Sequence, residues 1–67
     1  SDDFDKDVIN AVRALPIKYL QVIELYYFEG YSVTEISDIL SANENTVKSR
    51  LKRGRELLKG ELINEQF

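Results

Sequence analysis

The sequence contains no cysteine and no histidine. Without cysteine there is no disulfide framework, and no thiolate to hold a metal. Without histidine the commonest zinc ligand, the commonest general base and the usual pH switch are missing. The remaining carboxylates fall into no paired or metal-loop spacing, and no nucleophile–base set or phosphate-cradling loop can be assembled. The sequence therefore does not read as an enzyme, and no cofactor, metal or small-molecule substrate is expected. Long apolar runs are also lacking. None is long enough to cross a bilayer, and no signal-peptide pattern opens the chain. A cytoplasmic protein with no membrane partner is expected. The opening Ser1-Asp2-Asp3, without methionine, reads as a piece of a longer protein.

What is present is 67 residues, 31% charged and 43% hydrophobic, the composition of a folded domain rather than a disordered one. Residues 1–67 are expected to form one domain. A core of this size rarely contributes more than about 3–5 kcal/mol of net stability, which leaves no room for a sizeable buried cleft. The net charge of −3 argues at first against a polyanionic partner. The distribution argues the other way. Residues 1–47 carry three basic and nine acidic side chains, a balance of −6. Residues 48–59 carry six basic side chains (Lys48, Arg50, Lys52, Arg53, Arg55, Lys59) against Glu56 alone, a balance of +5. A polyanion feels the local field within a Debye length of roughly 8–10 Å, not the average over the chain. The plain alternative for such a run is a solvated helix face.

Hydrophobic periodicity predicts an all-α domain of four helices. Phe4, Val8, Ala11, Val12 and Leu15 form one stripe of a first helix over about 3–14, with acids crowding its N-terminal turns. Pro16 opens a second helix, where its missing N–H costs nothing, and Gly30 stops it after Glu29. Ten of the fourteen residues from Leu15 to Phe28 are apolar or aromatic, and Tyr19, Leu20, Ile23, Tyr26 and Tyr27 share a face. That composition predicts a central helix with its aromatics in the core. The sequence Ser32-Val33-Thr34-Glu35 fits a capping box for a short third helix over 33–40, with Val33, Ile36, Ile39 and Leu40 as its buried stripe. After Ser41-Ala42, Asn43 is a good N-cap for a fourth helix reaching about Leu62, with Val47, Leu51, Leu58 and Leu62 at helical spacing. Gly54 lies on the same stripe. It costs roughly 1 kcal/mol relative to alanine, so a close backbone approach to a crossing helix is expected there.

A short capped helix, a three-residue turn and a longer basic helix make a helix-turn-helix, of the homeodomain-like or winged-helix-like class without a wing. The major groove, about 12 Å wide, admits one α-helix, which must bury one face and offer polar groups on the other. At 100° per residue, Val47, Leu51, Gly54 and Leu58 cluster on one side. Asn45, Ser49, Lys52, Arg53 and Glu56 lie opposite. Lys48, Arg55 and Lys59 fall on one flank, and Thr46 and Arg50 on the other. These groups can donate to guanine O6 and N7 or to phosphate oxygens. Asn45, Thr46 and the helix N-terminus are suited to a phosphate. Glu56 would repel phosphate, which places the end of a DNA footprint near it. Arg50 and Arg55 have a second reading, as ion-pair partners of Glu35, Asp38 or Glu24. Ser32 and Thr34 also lie where a phosphate could be met, though their capping role is the safer reading.

The stretch from Leu15-Pro16 to Leu58 resembles region four of bacterial sigma factors, most closely the extracytoplasmic-function (ECF) type. The resemblance is carried by Val22 to Ser32, by Glu35-Ile36-Ser37-Asp38-Ile39-Leu40, and by Thr46-Val47-Lys48-Ser49-Arg50-Leu51 followed by Arg53-Gly54-Arg55. It covers about two-thirds of the chain. It implies sequence-specific binding to the promoter −35 element, as the C-terminal domain of an alternative RNA polymerase sigma factor directing transcription initiation. The implied partners are double-stranded promoter DNA, the β-flap of the RNA polymerase core, and an anti-sigma factor. By matching positions, Lys48, Ser49, Lys52 and Arg53 would read the major groove, while Arg50, Arg55 and the start of the third helix would serve phosphates. The sequence departs from the family pattern at Ala42, usually a larger apolar residue, at Asn45, often glycine, and at Ser37 and Gly54, usually alanine.

Two further readings remain open on sequence alone. One is the effector domain of a response-regulator-type transcription factor; the Leu-Pro opening and the Arg-x-Arg ending favour sigma instead. The other is a protein-interaction module whose basic helix meets an acidic partner such as an anti-sigma factor. For docking, Leu25, Phe28 and Tyr31 are candidates for an exposed apolar patch, the alternative being packing against the first helix.

Overall fold

A computed structural model describes the backbone of residues 2–66 and the side chains of residues 6–60. Helix α1 runs Asp2–Arg13, α2 Ile17–Ile23, α3 Val33–Leu40 and α4 Glu44–Gln66. Between α2 and the turn before α3, Glu24–Phe28 winds as a π-helical turn, closed by the Glu29 N–H donating to the Glu24 carbonyl at 3.0 Å. The expected all-α, four-helix arrangement is present, and no strand occurs among the described residues. At 23 residues, α4 is about 34 Å long at 1.5 Å per residue. It sets the long axis of a molecule measuring 37 × 20 × 15 Å.

The core is made where α1, α2 and α3 meet α4. Val12 from α1, Val22 and Ile23 from α2, Ile36 from α3, and Val47 and Leu51 from α4 are buried together. Val8, Leu15, Leu20, Leu25, Val33, Leu40 and Leu58 pack around them. Ala11 is also buried, so the α1 stripe from Val8 to Leu15 lies as its spacing requires. Phe4 and Leu62, which complete the predicted stripes, lie outside the described side chains.

Two expectations are corrected. The aromatics of the second helix are not core: Tyr27 and Phe28 are more than half exposed and Tyr26 stands at 39%. The buried pair is Val22–Ile23, with Tyr19 and Leu20 half-buried. The π turn is the physical reason. A turn closed by i→i+5 bonds holds more residues than one closed by i→i+4. A face laid out at 100° per residue therefore drifts off the core once the chain enters Glu24–Phe28. The second correction is Ile39, which is 51% exposed, while Ser37 is buried. The i, i+3, i+4, i+7 set starting at Val33 is Val33, Ile36, Ser37 and Leu40, so position 37 faces the core although its residue is polar. Ser37 accommodates this by donating its Oγ to the Thr34 carbonyl at 2.7 Å, which leaves no unpaired hydroxyl.

Gly30 closes the π turn. It adopts φ +83, and the Tyr31 N–H reaches back to the Leu25 carbonyl at 2.9 Å. Nothing lies within 4 Å of where a Cβ would stand at Gly30. Its requirement is therefore one of backbone conformation, not of space.

Candidate nucleic-acid interface

The geometry of the α3–turn–α4 unit is fixed by local bonds. The Ser32 Oγ accepts from the Glu35 N–H at 3.1 Å, and the Glu35 carboxylate accepts from the Ser32 N–H at 2.8 Å, completing the predicted capping box. The helix ends at Ser41, a non-glycine residue in the left-handed region at φ 54. The Ala42 N–H then donates to the Ser37 carbonyl at 3.0 Å. Asn43 caps α4 as expected: its Oδ1 accepts from the Thr46 N–H at 2.8 Å. That N–H is thereby committed to the cap and is not free for a phosphate. A link absent from the sequence reading joins the two helix starts, where the Thr34 hydroxyl donates to the Glu44 carboxylate at 3.0 Å. The signal for it was an acid in the first turn of α4 beside a hydroxyl in the first turn of α3. Their mutual reach depends on the crossing angle, which no spacing rule encodes.

Helix α4 presents its two faces as the 100° layout requires. Val47, Leu51 and Gly54 are buried and Leu58 is half-buried. Asn45, Lys48, Ser49, Lys52, Arg53, Arg55 and Glu56 are exposed, and Thr46 and Arg50 are half-buried on the flank. A Cβ at Gly54 would stand 3.0 Å from Ile23 Cγ1, 3.2 Å from Ile23 Cδ1 and 3.5 Å from Tyr19 Cβ. The glycine thus marks the close crossing of α2 over α4, as its place on the stripe predicted.

The eight predicted site residues are not equivalent. Asn45, Ser49, Lys52 and Arg53 stand together on the side facing away from the core. Arg53 is held by Glu56, Nη1 to Oε1 at 3.4 Å. Glu56 thus pairs three residues back, not with Lys52 four residues back. Arg55 instead turns toward α2, where its Nη1 donates to the Tyr27 hydroxyl at 3.2 Å. Among the described residues, neither Arg50 nor Arg55 forms an ion pair with Glu24, Glu35 or Asp38. Arg55 belongs to a second feature, an open and almost wholly apolar groove of about 460 Å³. Val8, Val12, Ile23 and Leu58 floor it, Tyr27 and Phe28 wall it, and Arg55 and Lys59 stand at its rim. Of the three docking-patch candidates, Phe28 and Tyr31 are exposed, whereas Leu25 is half-buried against the core. Among the described residues no cluster of three or more acidic side chains could hold a metal ion, and no helix is long and apolar enough to cross a membrane.

Chemically, the outward face of α4 can donate hydrogen bonds and attract negative charge, and the groove beside it can take an apolar ridge. Several RNA polymerase sigma factors are similar to this chain. The chain is 39% identical over 63 residues to the RNA polymerase sigma factor SigV of Bacillus subtilis (strain 168), covering 94% of this chain and 38% of that protein. It is 48% identical over 51 residues to the ECF RNA polymerase sigma factor SigW of the same organism, covering 76% of this chain and 27% of the relative. With the ECF RNA polymerase sigma factor SigK of Mycobacterium sp. (strain KMS) it shares 35% identity over 57 residues, 85% of this chain and 30% of that one. The chain thus spans between 27% and 38% of the length of these relatives. Residues 5–58 match the family described as Sigma-70, region 4. That match begins in α1 and takes in α2, α3, the turn and α4 as far as Leu58, and the chain therefore belongs to the Sigma-70, region 4 family.

Proposed function

We propose that this domain binds double-stranded promoter DNA at the −35 element, as the C-terminal part of an alternative, ECF-type RNA polymerase sigma factor, and so directs where transcription starts. The observation that carries this reading is the outward face of α4. Asn45, Ser49, Lys52 and Arg53 stand free of the core on a helix braced by Val47, Leu51 and the Gly54 crossing. Lys48, Ser49, Lys52 and Arg53 are assigned to base edges, and Asn45, Thr46 and Arg50 to the flanking phosphates. Arg55, anchored on Tyr27, is assigned a phosphate only at the margin of the footprint. Arg53→Ala and Lys52→Ala should each weaken binding to a −35-like duplex by roughly 1–3 kcal/mol, with an unchanged circular dichroism spectrum. Equal affinity of the variants and the parent in a mobility-shift titration would remove these residues from the reader role.

The groove beside α4 is the proposed seat of the RNA polymerase β-flap. Its apolar floor suits an apolar ridge, and Arg55 and Lys59 at its rim suit acidic residues flanking that ridge. An anti-sigma factor would silence the domain by covering either this groove or the basic face of α4. Phe28→Glu should abolish capture of the polymerase core in a pull-down while leaving duplex binding by the isolated chain intact. Retained capture would dismiss the groove as the docking site.

A further inference from the structure

The ion pair between Arg53 and Glu56 is made by two side chains that are 57% and 53% exposed. Exposed pairs of this kind contribute little to stability. Glu56 is also the lone acid among the six cations of residues 48–59, so it weakens the positive field there. Neither stability nor general attraction to DNA accounts for it. Its geometry offers another role. The contact engages one nitrogen, Nη1. A guanidinium is a planar fork of five N–H donors. With Nη1 held, the edge formed by Nε and Nη2 stays free, and such an edge can meet guanine O6 and N7 bidentately. A long side chain that already has one contact in place before its partner arrives also loses less freedom on binding.

We propose that Glu56 is a positioning residue for Arg53: it aims the free edge of the guanidinium at one guanine of the bound duplex, while its charge lowers attraction to phosphates at large. The inference rests on the DNA-binding reading above. It carries a distinctive signature, because removing the charge acts in opposite directions on affinity and on selectivity. A merely structural contact would move both together or neither.

The test uses the 67-residue chain with a duplex selected by it from a random pool, and the same duplex with each guanine replaced in turn. The parent should show one guanine whose replacement costs on the order of tenfold in affinity. Glu56→Gln should cut that penalty at least about threefold, and should tighten binding to an unselected duplex by about threefold at low salt. In an Arg53→Ala background, Glu56→Gln should still tighten binding but leave the guanine penalty unchanged. A parent that discriminates together with a Glu56→Gln variant that discriminates equally well would overturn this inference alone. A parent that binds no duplex would overturn the DNA-binding reading, and this one with it.

Discussion

At position 54 two effects of opposite sign meet. Glycine within a helix costs roughly 1 kcal/mol relative to alanine. A Cβ there would press on Ile23 at 3.0 Å, and Ile23 is only 2% exposed and has little room to withdraw. Gly54→Ala should therefore leave stability within about 1 kcal/mol of the parent, the propensity gain offsetting the compression. Gly54→Val adds branches at the same point and has no propensity gain to match, so a loss of about 2 kcal/mol or more is expected in urea unfolding. A Gly54→Val protein as stable as the parent would mean that α2 and α4 can separate freely. Ser37 poses a milder case. Its hydroxyl returns to its own helix at 2.7 Å, so Ser37→Ala strands no partner. Alanine is also the better helix former, and stability should hold or rise by up to about 0.5 kcal/mol. A loss above that would reveal a polar demand at the α3–α4 contact.

Helix ends carry the next set of consequences. Asn43 supplies the side-chain cap of α4, and Asn43→Ala should cost about 1 kcal/mol. The same change should speed amide exchange at Thr46 selectively, because the fraying begins in the first turn. Unchanged exchange there would show that water replaces the cap without cost. Caps and stops were the most legible parts of the sequence, because their chemistry is local. Ser32 with Glu35, and Asn43 with the N–H three residues on, need only the right types at the right separation. The two faces of α4 were legible for the same reason, since a straight helix obeys one angular step throughout. The π turn at Glu24–Phe28 was not, because nothing in Glu-Leu-Tyr-Tyr-Phe distinguishes a wide turn from a regular one. A regular helix would turn Tyr26 and Tyr27 inward; the wide turn leaves them, with Phe28, outward. At Ile39 hydrophobicity and helical angle disagree, and the angle, which turns Ser37 inward, prevails. The Thr34–Glu44 link was invisible for a third reason: it depends on how α3 meets α4 in space.

Over the whole molecule, the decisive property is the separation of charge. A chain of net charge −3 concentrates six cations within residues 48–59 of one helix. Repulsion from the acidic remainder is screened beyond roughly a Debye length, whereas contacts at the α4 surface are not. Binding to DNA should therefore weaken steeply with salt. With Arg50 and Arg55 on phosphates the log–log slope should be roughly −2, deepening by about one for each further α4 cation that meets a phosphate. A slope near zero in titrations at several salt concentrations would point to a protein partner for the basic face instead.

The groove and the outward face of α4 lie on different sides of one unbroken helix, with the Arg55–Tyr27 bond on the border between them. On the proposed reading, whatever is gripped on one flank is held at a set offset from the base pairs read on the other, on the scale of a helix diameter of about 10–12 Å. The domain then behaves as a ruler of fixed length. Promoters served by it should tolerate an altered base under α4 more readily than an inserted or deleted base pair downstream, because the first changes a few hydrogen bonds and the second displaces everything the ruler measures.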